Sequence, residues 1–450
     1  MSADAAGPTC QADPAPQADP APQADRATQA GPADGGRRRR VVPPLLRDAV
    51  FRRYWSASTV SMVGDQVTSI AVPLTAVLAL HAGAGAMGLL TALEWVPSLL
   101  FGMHAGAWAD RHGRRRQLMI ACDLGRFALL GTVPVCWALG VLTLGQLFAV
   151  VFTAGTLSIL FNVADQTLFV SIVAPAQYVD GQSLIYGSRA MSFVLGPSLG
   201  GLLAQLLTAP LALVADALSF LGSAFFLRRI DPAEPPADDG KGGVTEGLRF
   251  IAHSPVVRAS LIGVAVVNFF NLMFFALVML YAVRVLHVSA GLLGLILGCG
   301  AAGGLLGAAV TKAIAARIGV GLAYVAGAFA FTAPLALVPL APVPAGHGTS
   351  LAVIAMLFGA EFLSAFGVMV LDISIGSIFA SVIPDTVRSR VGGAFAAINY
   401  GTRPLGALLG GLLGAAAGLR PALWVAVIGG VVGAALLVPS PLPRFRLPEN

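Results

Sequence analysis

Long apolar stretches, each about as long as a bilayer is thick, follow one another along almost the whole chain. They fall near 56–80, 86–108, 117–140, 144–171, 182–207, 209–227, 257–283, 288–310, 320–340, 350–376, 392–417 and 420–438. A helix needs about 20 residues to cross a hydrocarbon core of about 30 Å. Inside lipid every backbone polar group must be satisfied within its own segment, so these runs are expected to be helices. The pattern predicts twelve crossings. Composition agrees: 56% of the residues are hydrophobic and only 11% are charged. A soluble chain of this length carries roughly a quarter charged residues, so lipid must solvate much of this one. The 53 glycines would weaken helices in water but let helices in lipid pack closely.

A net charge of +6 raises the question of nucleic acid, but the basic residues sit in short loops between apolar runs, which is a topology signal. One side collects Arg47, Arg52, Arg53, Arg111, Arg114, Arg115, Arg116, Arg228, Arg229, Lys241, Arg249, Arg258, Lys312, Arg317, Arg388, Arg390, Arg444 and Arg446. The other side has Arg284 and Arg420. The expected arrangement is a multi-pass protein of the cytoplasmic membrane with both termini cytoplasmic and no nucleic-acid partner.

Residues 1–44 read as a disordered cytoplasmic tail. Gln11-Ala-Asp-Pro-Ala-Pro recurs from Gln17, and such a polar, Pro-rich stretch cannot offset the entropy of ordering. Arg37 to Arg40 read as a topology anchor. The expected division is a six-helix bundle over 45–229, a central cytoplasmic linker over 230–256, a second bundle over 257–438 and a cytoplasmic tail over 439–450. The polar stretch Asp231–Gly243 supplies the linker. The halves also echo each other. Adding 206 takes Arg52 to Arg258, His81 to His287, Gly85 to Gly291, Gly88 to Gly294, Arg111 to Arg317 and Gly113 to Gly319. Gly200-Gly201-Leu-Leu returns as Gly410-Gly411-Leu-Leu. Parallel repeats with a solute site between them are a transporter architecture.

The sharpest local motif is Gly106-Ala-Trp-Ala-Asp110-Arg111-His-Gly113-Arg114-Arg115-Arg116, between the second and third apolar runs. It resembles the signature loop of the major facilitator superfamily, Gly-x-x-x-Asp-Arg-x-Gly-Arg-Arg. The resemblance implies an all-α membrane protein of the major facilitator fold, with twelve transmembrane helices in two six-helix bundles. It also implies that Gly106, Asp110, Arg111, Gly113 and Arg114 form a loop that latches the halves and moves during switching. In the second half Ala316 and Lys312 replace Asp110 and Gly106, so that copy is degenerate. Gly196-Pro197-Ser-Leu-Gly200-Gly201 resembles an element of the superfamily's antiporters. A plain small-residue packing surface is the competing reading.

Phe51-Arg-Arg-Tyr-Trp, Gly64-Asp65-Gln66, Asn162 to Asp165, Glu246-Gly-Leu-Arg-Phe and Arg403-Pro404-Leu-Gly complete the order of elements. Over residues 45–440 this order is similar to the macrolide-efflux and enterobactin-exporter branch.

Ionisable groups in lipid are costly and therefore functional candidates. Asp65 lies about 15 Å along its helix from Trp55, near the midplane. Asp65 and Glu94 are the first and second candidates for proton coupling, because an apolar cavity makes the charged carboxylate expensive and proton exchange accessible. Arg126, Asp216, Asn271, Glu361 and Arg403 complete the coupling or substrate set. Asp123 and Arg126, three residues apart, are equally read as a self-neutralising pair. Phe101, Phe269, Phe270, Phe274 and Phe275 either line a greasy pocket or simply pack; four of them share one helix and cannot all face one way.

The chain carries no phosphate-binding Gly-x-x-x-x-Gly-Lys motif, no His-Glu-x-x-His and no Gly-x-Ser-x-Gly, so neither an enzyme nor an ATP-driven pump is expected. The four cysteines show no metal-ligand spacing, and no cofactor is expected. The remaining readings are a monomeric exporter of a small amphiphilic molecule (antibiotic, secondary metabolite or siderophore) coupled to protons, and a proton-coupled uptake symporter for a nutrient.

Overall fold

The computed structural model describes residues 44–112, 114–174, 177–231, 244–344, 349–384 and 387–446. The side chains of 44, 103–112, 244–246 and 389 fall outside that description. Nearly all of the tail over 1–44, Gly113 of the signature loop and the polar linker after Asp231 therefore lie outside the described residues.

The helices are α1 (Ala49–Leu74), α2 (Ala84–His112), α3 (Arg115–Ala138), α4 (Leu144–Ile172), α5 (Tyr178–Leu206) and α6 (Ala209–Arg228) in the first half. Then come α7 (Val244–His253), α8 (Pro255–Arg284), α9 (Ala290–Ile318), α10 (Val320–Thr332), α11 (Leu337–Leu340), α12 (Leu351–Val382), α13 (Arg388–Ala417) and α14 (Leu419–Ala435). A 3-10 turn joins α10 to α11, so the pair makes one crossing. Polar residues at the helix starts accept from the first-turn amides: Asp48 from Val50 N (2.8 Å), Thr143 from Gln146 N (3.2 Å) and Ser350 from Val353 N (3.3 Å). Gly319 and Gly418, at φ of 87° and 92°, turn the chain where α9 and α13 end.

By length and hydropathy, nine helices among the described residues suit a bilayer. The crossings outside that set are α5, α13 and α14. The first two carry glycines that pack between the halves, Gly201 and Gly411, and α14 is 17 residues long. Within the expected linker over 230–256, Val244–His253 is helical. Its turn at Gly247 lies against the Arg390 carbonyl, and Ile251 is buried with Val391 and Ala394 of α13. One apolar face on ten residues holds a helix to a neighbour without spanning a membrane.

Both halves pack in the same order. α1 contacts α5 and α6 as α8 contacts α13 and α14; α3 contacts α4 and α6 as α10 contacts α12 and α14. The 206-residue echo extends to backbone detail. His81 and His287 both stand at positive φ, 51° and 52°, a conformation uncommon outside glycine. Ala82 N donates to Ala76 O at 2.8 Å and Val288 N to Ala282 O at 2.9 Å. Arg52 Nη1 donates to Leu46 O (3.3 Å), and Arg258 Nη1 to Ala252 O (2.8 Å).

The halves meet at two equivalent crossings, α2 on α13 and α5 on α9. A Cβ on Gly88 would stand 2.6 Å from both Ala407 O and Gly411 Cα; one on Gly294 would stand 2.5 Å from Pro197 O and 2.9 Å from Gly201 Cα. The two glycine echoes seen in the sequence are thus the partners in the two crossings. Both lie at the end away from the basic loops, where Gln205 Oε1 also accepts from Gly291 N at 2.8 Å.

Candidate functional site

Helices α1, α2, α3, α4 and α6 surround a cavity of about 300 Å³ in the first half. Asp65 and Thr68, three residues apart on α1, reach it from one face of that helix. Glu94 and Ser98 come from α2, Arg126 from α3, Ser158 and Asn162 from α4, and Asp216 and Phe220 from α6. Pro97 lies inside α2, and Gly155 of α4 lies against it. A Cβ there would come within 3.3 Å of the proline ring.

Arg126 organises the polar wall. Its guanidinium sits over Phe161 (4.5 Å) and Phe220 (4.1 Å), ring faces that attract a cation. Nη2 donates to Asp123 Oδ1 at 2.5 Å, and Nη1 reaches Ser158 Oγ at 3.4 Å. The same Nη1 stands 3.9 Å from Asp65 Oδ1. One cation therefore serves two carboxylates in unequal ways. The Asp123 side chain is fully buried and tightly held, while that of Asp65 is 49% exposed to the cavity and loosely held. Charge-assisted bonds at short range are the strong ones, so Asp65 is the more weakly held of the two carboxylates. Arg126 Nε and Asp123 Oδ2 have no hydrogen-bond partner.

Asp216 is buried and accepts from the Thr68 and Ser219 hydroxyls, the latter at 2.9 Å. Gly64 makes the space, since any Cβ there would collide with Ser219 Oγ and Asp216 Oδ1. Gly64-Asp65-Gln66 thus has three jobs: room for α6, a carboxylate in the cavity, and a glutamine packed on Gly196 of α5. Gly196 and Gly200 face α1, whereas Gly201 faces α9. The Gly-Pro element is a two-sided contact strip.

A second cavity of about 690 Å³ opens toward the basic end and shares Asn162 with the first. Tyr54, Asp165, Tyr186 and Arg189 line it, with Tyr54 Oη donating to Asp165 Oδ1 at 2.8 Å. Polar groups therefore continue from the level of Asp65 toward the basic loops.

The other expected candidates do not join this cluster. Asn271 is buried on α8 with its Nδ2 unpartnered, and its neighbour Asn268 donates to Asn399 at 2.9 Å. Glu361 stands on α12 beside Gly300 of α9. Arg403 on α13 lies over Trp95 of α2 at 4.1 Å and Tyr400 at 4.9 Å, so it bridges the halves by ring contacts. None of the five phenylalanines singled out above lines either cavity. In the signature loop α2 runs through Asp110 and Arg111 to His112, and Arg114 is exposed at the start of α3. The side chains of Gly106, Asp110 and Arg111 lie outside the described residues.

Sequence reasoning passed over Thr68, Ser158 and Ser219, because hydroxyls are common in membrane helices and bond their own backbone. The spacing Asp65–Thr68 was the available signal. Trp95 had none.

A family model described as Major Facilitator Superfamily matches residues 54–361. The chain belongs to that superfamily. It is a multi-pass membrane transporter and not an enzyme. The multidrug efflux pump Tap of Mycobacterium tuberculosis (strain ATCC 25618 / H37Rv) is 27% identical over 392 residues, covering 81% of this chain and 87% of the pump. The MFS-type transporter YfiS of Bacillus subtilis (strain 168) is 28% identical over 225 residues, 48% of this chain and 52% of its own. Among solved structures, an inward-facing bacterial homolog of the human lysosomal transporter Spinster superposes with a TM-score of 0.68 at 15% identity. It covers 88% of this chain and 97% of its own. That likeness shows the shared fold of this facilitator.

Proposed function

We propose that this transporter exports a small amphiphilic molecule from the cytoplasm in exchange for protons, with Asp65 as the proton-carrying group and Glu94 as a second one. The observation that carries the reading is the shared Arg126. Deprotonated Asp65 pairs with it at 3.9 Å across the cavity edge, while Asp123 holds it from behind at 2.5 Å. A proton on Asp65 releases its hold on Arg126, leaves the Arg126–Asp123 pair intact and changes the charge facing the solute. Glu94 lines the same cavity, so a cationic amphiphile and a proton compete for the same carboxylates. Two states biased by one protonation event are what antiport requires.

The efflux direction draws on the relative named a multidrug efflux pump, similar over 81% of this chain. The uptake alternative, a nutrient symporter, is less favoured. The proposal includes cytoplasmic termini, two bundles divided near 230–256, a latching role for Asp110, Arg111 and Arg114, and a monomer as the working unit.

Everted vesicles loaded by a pH gradient test it. Asp65→Asn should abolish gradient-driven movement of a fluorescent cationic amphiphile while leaving membrane insertion intact. Full transport by that variant, or transport that survives collapse of the gradient, defeats the coupling.

A further inference from the structure

We infer that the second half carries a binding site for a phosphate-bearing anion at its basic end, between α9, α10 and α12. A cavity of about 570 Å³ lies there, within the roughly 300–1,000 Å³ typical of small-molecule sites. Lys312 and Arg317 of α9 line it, and Arg446 closes it from the C-terminal segment. None of the described residues lining it is acidic. In the first half the corresponding loop has Asp110 among its arginines; here Ala316 occupies that place and lines the cavity. The carboxylate that would balance the cations is therefore missing from this copy.

Clustered cations near a membrane surface are ordinarily a topology signal. Two further observations separate this site from one. Ser374 of α12 also lines the cavity, is 1% exposed, and has a hydroxyl with no hydrogen-bond partner. A buried hydroxyl left unpaired costs free energy that a bound acceptor oxygen recovers. α10 also begins at the cavity: its Gly319 cap offers no side chain to the first-turn amides, and Gly319 and Val320 are part of the lining. Such amides favour an anion, against the opposing pull of the last carbonyls of α9, which the three cations outweigh.

The C-terminal segment is fixed for this task. Leu442 is fully buried with its carbonyl over Gly321 of α10, where no Cβ would fit, and Phe445 N donates to Leu442 O at 2.9 Å. Arg446 follows directly. The segment thus acts as a docked arm that brings the third cation to the mouth.

The ligand chemistry is a phosphate group, whether on a lipid headgroup or on a soluble molecule. Full-length protein, stripped of lipid in detergent, is titrated with phosphatidylglycerol, with phosphatidylcholine and with inorganic phosphate, and occupancy is read by native mass spectrometry. Phosphatidylglycerol retained at least about tenfold more strongly than phosphatidylcholine, and not displaced by millimolar phosphate, supports a headgroup site. Binding of phosphate itself, with displacement of the lipid, supports a soluble phosphorylated ligand. The double variant Lys312→Gln/Arg446→Gln should lose about tenfold or more in either case, and Ser374→Ala severalfold. Arg284→Gln, which removes a charge at the far end of the protein, should lose nothing. Equal binding by the double variant and Arg284→Gln, or wild-type binding by Ser374→Ala, overturns the site. So does a failure of both anions to bind above phosphatidylcholine.

Discussion

Adding one methyl group at Gly201 should open the transporter on the face away from its basic loops. A Cβ at Gly201 would lie 2.5 Å from Ala290 O, 2.7 Å from Gly294 Cα and 2.9 Å from Gly294 N, all backbone atoms that no side-chain rotation can move. Ordinary contact begins at 3.4 Å, so α5 and α9 must part by about 0.9 Å (3.4 minus 2.5) at this point. Overpacking of this kind costs about 1–3 kcal/mol, which falls on the state in which the two helices touch. The ratio of open to closed at that face should therefore rise by roughly 5- to 150-fold. In a cysteine-free background, Ser98→Cys places a probe in the Asp65 cavity. Its reaction with a membrane-impermeant maleimide applied on that side of the membrane reports how often that face opens. While the open state is minor, the rate follows its population. Gly201→Ala should accelerate labelling within that range. Gly187→Ala, on the same helix with nothing within 4 Å of its Cβ position, should leave the rate unchanged. An unchanged rate in Gly201→Ala, or equal acceleration by both, would refute the reasoning that this crossing is a closure rather than a fixed hinge.

Three other outcomes follow from the same geometry. Arg126→Gln leaves fully buried Asp123 without its cation, a loss of roughly 3–5 kcal/mol, so the variant should show a much lower melting temperature in detergent; Asp65→Asn should melt near the wild type because its side chain is half exposed. Gly64→Ala should disturb the Asp216–Ser219 pair and impair transport more than Asp216→Asn does, since it drives α1 off α6; equal transport by wild type and Gly64→Ala would contradict the packing. Arg403→Lys keeps the charge but loses planar stacking on Trp95 and Tyr400, about 0.5–2 kcal/mol, which should appear as a shifted equilibrium in the same labelling assay and be absent when Trp95 is already alanine.

The sequence alone determined the crossings, their order and the repeat. These rest on length, hydropathy and charge placement, which act locally. His81 and His287, read as an echo 206 residues apart, turned out to share a backbone turn. Gly88, Gly201, Gly294 and Gly411 were visible as echoes too, but only the fold made Gly88 the partner of Gly411 and Gly294 that of Gly201. Local pattern tells which residues are small; it does not tell which helices cross.

The candidate site divides in the same way. Asp65, Glu94, Arg126 and Asp216 were legible because a charge in an apolar run is conspicuous. Their grouping around one cavity, and the placement of Glu361, Asn271 and Arg403 elsewhere, were set by helix rotation and tilt. Continuous apolar runs leave those angles unspecified, because a helix surrounded by lipid on one side and helices on the other shows little one-sided pattern. The order of the helices is thus written in the chain, and their facing is decided by glycine-to-backbone contacts between segments distant in sequence, such as Gly88 with Gly411 and Gly201 with Gly294.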